Sequence, residues 1–395
     1  MNRVGSEATD VGQTYGQTGP ALPTDSLALA RRAQRVTFPR LADPSGYRPG
    51  LTNLTRDAEA RGYWLGMFRS HAGGMCRGWM AEAAERGISE EKANAQRAEA
   101  QAEFGAYLDR VQADPAAFGQ LDILSLCWAR EDALERAGIV DAYAIPKRQE
   151  NERALPLLPA LLAELDAMPE AERFAAAWRG VLAGNIFDLG AKETIAMFES
   201  GQIDFEAVRA KLKPRPWRFD DFEALAERFD AKRHPAYRCA CLFVDNAGPD
   251  VLLGMLPLAR ELLRRGTGVI LTANTRPSLN DVTHDELVAL LDRVTEHDAP
   301  LREALADGRL ECVPSGNDAP LIDLLAVSPE LADAVTRRGV DLVVLEGMGR
   351  SVESNFHAGL TCDAVKVCMV KDAGVARELD AEVFDLVLKF EPAGA

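Results

Sequence analysis

The chain has 395 residues, 47% of them hydrophobic and 27% charged, which is the balance of a globular protein with apolar material for two domains. Its net charge of -16, from 61 acidic against 45 basic residues, argues against a large nucleic-acid surface or an anionic-membrane binder, because both need a basic face. No run of about 18 apolar residues is present, so no membrane span is expected. A small anionic ligand needs only local positive charge and stays open.

Residues 1–45 are rich in Gly, Thr, Ser and Pro without apolar periodicity, and predict a flexible N-terminal arm. The arm lacks the apolar stretch of a secretory signal, so the expected location is cytoplasmic. Residues 46–232 predict a helical domain. In 89–107, 120–137 and 155–168, apolar residues recur at three- and four-residue intervals and so share one face of each helix. Ser89 suits the N-cap of the first. Lys213-Pro214-Arg215-Pro216-Trp217 predicts an extended connector, since each proline disfavours helix in the residue before it.

From 233 to 395 short apolar runs alternate with helical stretches, predicting an α/β domain. The runs are 237–244, 268–273, 310–314, 341–345, 364–370 and 385–390, and helices are expected at 258–265, 285–296 and 329–338. This alternation implies an open, mostly parallel sheet with right-handed crossovers. The seven cysteines are scattered, with no C-x-x-C spacing, and fit reduced thiols. Cys239 and Cys241 fall on one face of one strand and read as small buried hydrophobes.

In such a sheet, ligands bind beyond the carboxyl ends of the strands. After the run ending at Val244 comes Asp245-Asn246-Ala247-Gly248. After Leu271 come Asn274 and then Asn280-Asp281-Val282-Thr283, and after Leu345 comes Glu346-Gly347-Met348-Gly349-Arg350-Ser351. Singly, Asp245 and Asp281 also suit helix caps or turns. Together, at adjacent strand ends, they read as a site. Two carboxylates and an amide oxygen without His or Cys point to a hard divalent cation, magnesium or manganese over zinc, with cobalt and nickel also to be tried. The helix after Asp245 would turn its free N–H groups towards an anion.

These strings resemble the signature of the metal-dependent damage-control phosphatases. The Glu346–Arg350 string is similar to the hallmark of the branch that acts on 4'-phosphopantetheine, which in animals and plants is often fused to a pantothenate-kinase-like domain. The resemblance extends to Gly184-Asn185-Ile186-Phe187-Asp188, to Lys147, Glu150 and Asn151, and to Cys362-Asp363-Ala364-Val365-Lys366. It implies a helical N-terminal domain on a three-layer α/β/α domain, and a metal held by Asp245, Asn246 and Asp281. The implied activity is hydrolysis of a small phosphorylated metabolite, 4'-phosphopantetheine or its oxidised-sulfur forms, in coenzyme A damage control. The N-terminal arm has no counterpart in it, and the oligomeric state stays open.

Either a metal-activated water or Asp245 itself could attack phosphorus. Water is preferred, because Asp245 lacks the second Asp two residues on that haloacid-dehalogenase-type phosphatases use. Candidate substrate contacts are Asn185, Asp188, Asn274, Glu346, Gly347, Arg350, Ser351 and Lys366. Several have structural alternatives. Arg350 could pair with Glu346 or Asp363, Lys366 could sit in an ion pair, and Asn185 and Asp188 could cap a helix. Lys371 is balanced between the two roles, and His284 reads as a helix start. Competing functions are a sugar-phosphate phosphatase on the same scaffold, a methyltransferase disfavoured by the missing Gly-rich loop, and a non-catalytic binding module.

Overall fold

The computed structural model describes residues 34–186 and 205–394. All six apolar runs form strands, joined by one short strand upstream. These are β1 (Phe219–Asp220), β2 (Cys239–Phe243), β3 (Gly268–Ala273), β4 (Leu310–Pro314), β5 (Leu342–Glu346), β6 (Asp363–Met369) and β7 (Leu386–Glu391). Their order is β1-β7-β6-β5-β2-β3-β4, parallel throughout except for the antiparallel pair β6 and β7. Every residue of β2, β3 and β5 is buried, which is why these strands read as unbroken apolar runs: both faces are covered. β1 falls in the stretch expected to be helical, and two residues are too few to show a period.

Alternate side chains serve opposite faces. Ala240, Leu242, Val269, Leu271 and Val344 pack towards the helices Leu158–Ala167, Glu170–Gly184 and Leu256–Arg264. Cys239, Cys241, Phe243, Ile270 and Val343 pack towards the helix Pro329–Arg338. A third cluster joins the helices Ala58–His71, Glu90–Ala113 and Ile123–Arg136 to Leu321, Met348, Val352 and Val370 beside the sheet. All three clusters draw on residues from both sides of position 233, so apolar packing runs unbroken across that point. Ser89 caps its helix by accepting from the Lys92 N–H, and 213–217 is non-helical. No helix among the described residues is long and apolar enough to cross a membrane.

Residues 36–51, partly within the expected flexible arm, are docked. Val36 bridges to Val327 and Leu41 to Leu360, while Phe38 and Tyr47 are buried. The few apolar residues of this polar stretch supply the burial that holds it. The rest of the arm, 1–33, lies outside the described residues.

Candidate active site

The chain runs from β2 outward through β3 to β4, then returns to place β5 on the other side of β2. The β2/β5 boundary is therefore the switch point of the sheet, where diverging connections leave a crevice. Asp245 follows β2 there, and Glu346 ends β5. The Asp245 N–H donates to Glu346 Oε2 at 2.9 Å. The loop bearing Asp281 is stitched beside 245–247: Val282 N–H donates to Asp245 O at 3.0 Å and Ala247 N–H to Asn280 O at 2.9 Å. This short added ladder makes Asn246 and Asp281 neighbours.

Two groups of polar side chains meet at Asp245. On one side Asn185, at the C-cap of the helix Glu170–Gly184, donates through Nδ2 to Glu346 Oε1 at 2.7 Å and Asp245 Oδ2 at 3.2 Å. Asn246 Nδ2 donates to Asp245 Oδ2 at 2.9 Å and Asp250 Oδ2 at 2.8 Å. On the other side Arg350 donates from Nη1 to Asp245 Oδ1 and from Nη2 to Asp281 Oδ2, the latter at 2.9 Å. Asn274 Nδ2 donates to the same Asp281 oxygen at 2.9 Å. Asp245, Asn246, Asp281, Asn185, Asn274, Glu346 and Arg350 are thus one buried network.

Asp250 and Arg350 each lie in a π-helical turn, Asp250–Met255 and Met348–Glu353, that follows β2 and β5 respectively. Such wide turns re-aim side chains near strand ends. Gly347 has φ 95°, and a Cβ there would stand 2.3 Å from Asp245 Oδ2, so only glycine lets the β5 turn pass the carboxylate. Ser351 donates its hydroxyl to Gly347 O at 2.7 Å and braces that turn.

Asp245, Asp250 and Glu346 each bring a buried carboxylate oxygen within 4.8 Å of the others, and Asp250 Oδ1 has no hydrogen-bond partner. Burial raises the Asp250 pKa to about 6 against the pull of Lys371 and Asn246. Burial and then the charge of Asp250 push Glu346 well above the usual carboxylate range, with Lys371 opposing. Such a donor set, all oxygen and with one carboxylate oxygen unpartnered, fits a hard divalent cation.

A cavity of about 220 Å³ opens over the network, and it separates two layers of acids. Asp245, Asn246 and Asp281 line it, whereas Asp250, Glu346, Asn274 and Arg350 stand behind them. The far walls come largely from the helical segment and are mostly apolar, with Trp64, Met67, Phe68, Phe104, Leu321 and Met348, but Arg77, Arg130, His71, Glu353 and Asp372 line them too. Glu346, Arg350, Gly347, Ser351 and Asn274, expected as substrate contacts, do not line this cavity: Glu346 accepts from the Asp245 N–H, Arg350 and Asn274 bond to Asp281, and Ser351 bonds to the Gly347 carbonyl.

Lys366 is not brought to this network. Its buried ammonium donates to Phe356 O and Ala358 O, both at 2.9 Å, and pairs with Glu391 at 2.5 Å, as in the ion-pair alternative. The lysine beside the acids is Lys371, which donates to Asn185 O at 2.6 Å. Lys147 pairs with Asp141 and Glu286, and Asn151 accepts from Gly248 N–H at 2.7 Å, so their helix, Ala144–Ala154, buttresses the 245–248 loop. His284 opens the helix His284–Thr295, capped by Thr283. Asp188 lies outside the described residues. Two further charged residues stand at this place without having been expected from the sequence: Asp250 in the acidic cluster and Arg130 on the cavity wall. Asp250 has only its spacing from Asn246 as a signal, and Arg130 shares the helical stripe Ile123, Cys127, Arg130 that faces the cavity.

Residues 76–387 match the damage-control phosphatase ARMT1-like domain. The chain is 39% identical to a pantothenate kinase 2 of Arabidopsis thaliana, over 98% of this chain and 46% of that protein. It is 34% identical to the 4'-phosphopantetheine phosphatase of Mus musculus, over 90% of this chain and 48% of that one. It therefore spans about half the length of these relatives. It is 39% identical to a damage-control phosphatase of Arabidopsis thaliana, over 73% of this chain and 77% of that protein. In fold it is similar to a solved DUF89 family protein from Pyrococcus horikoshii, with TM-score 0.56 at 15% identity over 83% of this chain and 97% of that one. With its residues 76–387 matched and its acids gathered at the switch point of the sheet, the chain belongs to the damage-control phosphatase family with an ARMT1-like domain.

Proposed function

We propose that this chain is a metal-dependent phosphomonoesterase that removes phosphate from 4'-phosphopantetheine and its oxidised-sulfur forms, in coenzyme A damage control. The observation that carries this reading is the shape of the cavity: a floor of Asp245, Asn246 and Asp281 beneath apolar walls built around Trp64, Phe68 and Phe104. A phosphate ester with a long, weakly polar tail matches both ends. A sugar phosphate would leave the aromatic wall without a partner. The likeness to a relative named as a 4'-phosphopantetheine phosphatase supports the same choice.

Asp245, Asn246 and Asp281 would hold the cation, with magnesium, manganese, cobalt and nickel as the candidates. When bound, such an ion supplies Lewis-acid polarisation of a phosphoryl oxygen and offsets its charge. Arg350 and Asn274 fix Asp281, while Asn185, Asn246 and the Glu346 layer fix Asp245, so the carboxylates need no reorganisation during reaction. Both oxygens of Asp245 already accept hydrogen bonds, which supports water over Asp245 as the attacking group. The apolar walls exclude bulk water from the substrate tail. All seven cysteines are free, in keeping with the cytoplasmic setting expected from the sequence.

The test is phosphate release from 4'-phosphopantetheine, its sulfonate, fructose 1-phosphate, ribose 5-phosphate and p-nitrophenyl phosphate with each of the four ions, and after EDTA. The expected result is metal-dependent preference for the pantetheine compounds. Preference for the sugar phosphates would overturn the substrate assignment, activity indifferent to EDTA the metal. Silence on every substrate would leave a binding module.

A further inference from the structure

The floor of the cavity is acidic, yet the proposed substrate carries a dianionic phosphate. Arg350 already pairs with both floor carboxylates, and one divalent cation together with that arginine still falls short of two carboxylates and a dianionic phosphate, so a further positive group should face the same space; Arg77 and Arg130 both line it. Arg130 is in position to do so. It lies on the helix Ile123–Arg136, and Ile123, Cys127 and Arg130, at i, i+4 and i+7, form the stripe that this helix turns to the cavity.

The guanidinium is held in one pose. Nε and Nη2 donate to Glu131 Oε1 at 2.8 and 2.6 Å, and Nη2 donates to Ser278 Oγ at 3.2 Å. Ser278 in turn accepts the Asp281 N–H at its carbonyl, at 3.1 Å, so the arginine is tied to the loop that carries a floor carboxylate. Glu131 does not line this cavity. It lies on the wall of a second, smaller one behind the arginine. Among the described residues, the remaining terminal nitrogen, Nη1, has no hydrogen-bond partner, although Arg130 is only 8% exposed. A buried guanidinium with two edges pinned and a third donor group unused is pre-organised for an oxyanion.

We propose that Arg130 is the phosphate-recognising residue of the site, its Nη1 donating to a non-bridging phosphoryl oxygen while Glu131 and Ser278 hold the guanidinium plane. This rests on the phosphatase reading above. The step involves no covalent change at Arg130. It contributes affinity for phosphate and stabilises the charge that shifts onto the equatorial oxygens in the transition state.

The experiment compares wild type, Arg130→Lys and the charge-neutral double variant Arg130→Gln/Glu131→Gln, which avoids stranding a buried acid. Calorimetry with Mn²⁺ alone, then with inorganic phosphate in its presence, accompanies steady-state kinetics on the best substrate of the panel. In the double variant, phosphate affinity should fall by about 10-fold or more and kcat/KM by about 100-fold, as for a lost charge-assisted contact. Mn²⁺ affinity should stay within about twofold, and Arg130→Lys should recover part of the loss. A folded double variant that binds phosphate and turns over like wild type would overturn the assignment of Arg130. Failure of the wild type itself to hydrolyse any phosphate ester would instead overturn the phosphatase reading, and this inference with it.

Discussion

Gly347 lies against Asp245 so closely that a Cβ at 347 would stand 2.3 Å from Asp245 Oδ2 and 3.0 Å from its Cβ. The backbone there, at φ 95°, is also one that side chains with a Cβ avoid. Gly347→Ala should therefore displace the floor carboxylate and cost roughly 1–3 kcal/mol through the backbone alone. A shift of even about 1 Å at a reacting centre can remove on the order of 100-fold in rate. Urea unfolding and turnover on the same preparation check this, and a variant with normal turnover would show that Asp245 can move without cost.

Asp281 accepts from Arg350 and Asn274 through one oxygen and lines the cavity. Asp281→Asn keeps the shape but removes the charge. The fold should persist, by circular dichroism, while kcat falls by about 100-fold or more, since several kcal/mol of the barrier rest on the cation. Near-normal activity would remove Asp281 from the site.

Trp64 is buried in the apolar wall, distant in sequence from every acid of the floor. Trp64→Leu leaves an apolar residue but opens the wall. KM for 4'-phosphopantetheine should rise by about 10-fold, within the ~1–3 kcal/mol that apolar contacts decide, while p-nitrophenyl phosphate should be affected less. Equal losses on both substrates would count against the tail-binding wall.

Tyr47 reaches Arg350 through one intermediary. Its hydroxyl donates to Asn355 Oδ1 at 2.9 Å, and Asn355 Nδ2 donates to Arg350 O at 2.9 Å. Tyr47→Phe should cost about 1 kcal/mol of stability, as for a typical buried hydrogen bond, and lower kcat several-fold. Combined with Arg350→Lys, the two losses should not add, because Tyr47 acts through the Arg350 backbone carbonyl on the placement of the same residue. Strict additivity in a double-mutant cycle would make Tyr47 a purely structural residue.

Glu391 pairs with Lys366 of the neighbouring β6 and with Lys389 of its own strand, β7. Burial raises its pKa, but the hydrogen bonds from Lys366 and Lys389 outweigh that and hold it below its ordinary value of 4.5. The unfolded chain thus binds the proton more readily than the folded one, so this pairing stabilises fully above about pH 4.5 and is lost as pH falls through the folded value. Denaturation midpoints of wild type and Glu391→Gln should differ at about pH 6 and converge towards about pH 3. A difference that stays constant with pH would show that the pair does not act through charge.

Legibility followed locality. β3, β4 and the helix Pro329–Arg338 lie where periodicity and caps place them, because continuous burial or a single apolar stripe is written in consecutive residues. Asp245 and Asp281 were legible because each ends or follows an apolar run. Asp250 was not: only the π-helical turn swings its carboxylate back to the Asn246 N–H, at 3.2 Å. Lys366 and Lys371 look alike in sequence. Antiparallel pairing sets Glu391 beside the first, and the end of β6 sets Asn185 and the acids beside the second.

By itself, the sequence determined the strand–helix alternation, the acidic strand ends and the family, since these depend on residue type and short spacing. Only the tertiary structure decided which acids face the cavity and which stand behind, that Arg350 spans Asp245 and Asp281, and that Arg130 enters from the helical segment. The physical reason is that a buried charge is assigned its role by the opposite charges and donors around it, and in this fold those come from residues far apart in the chain.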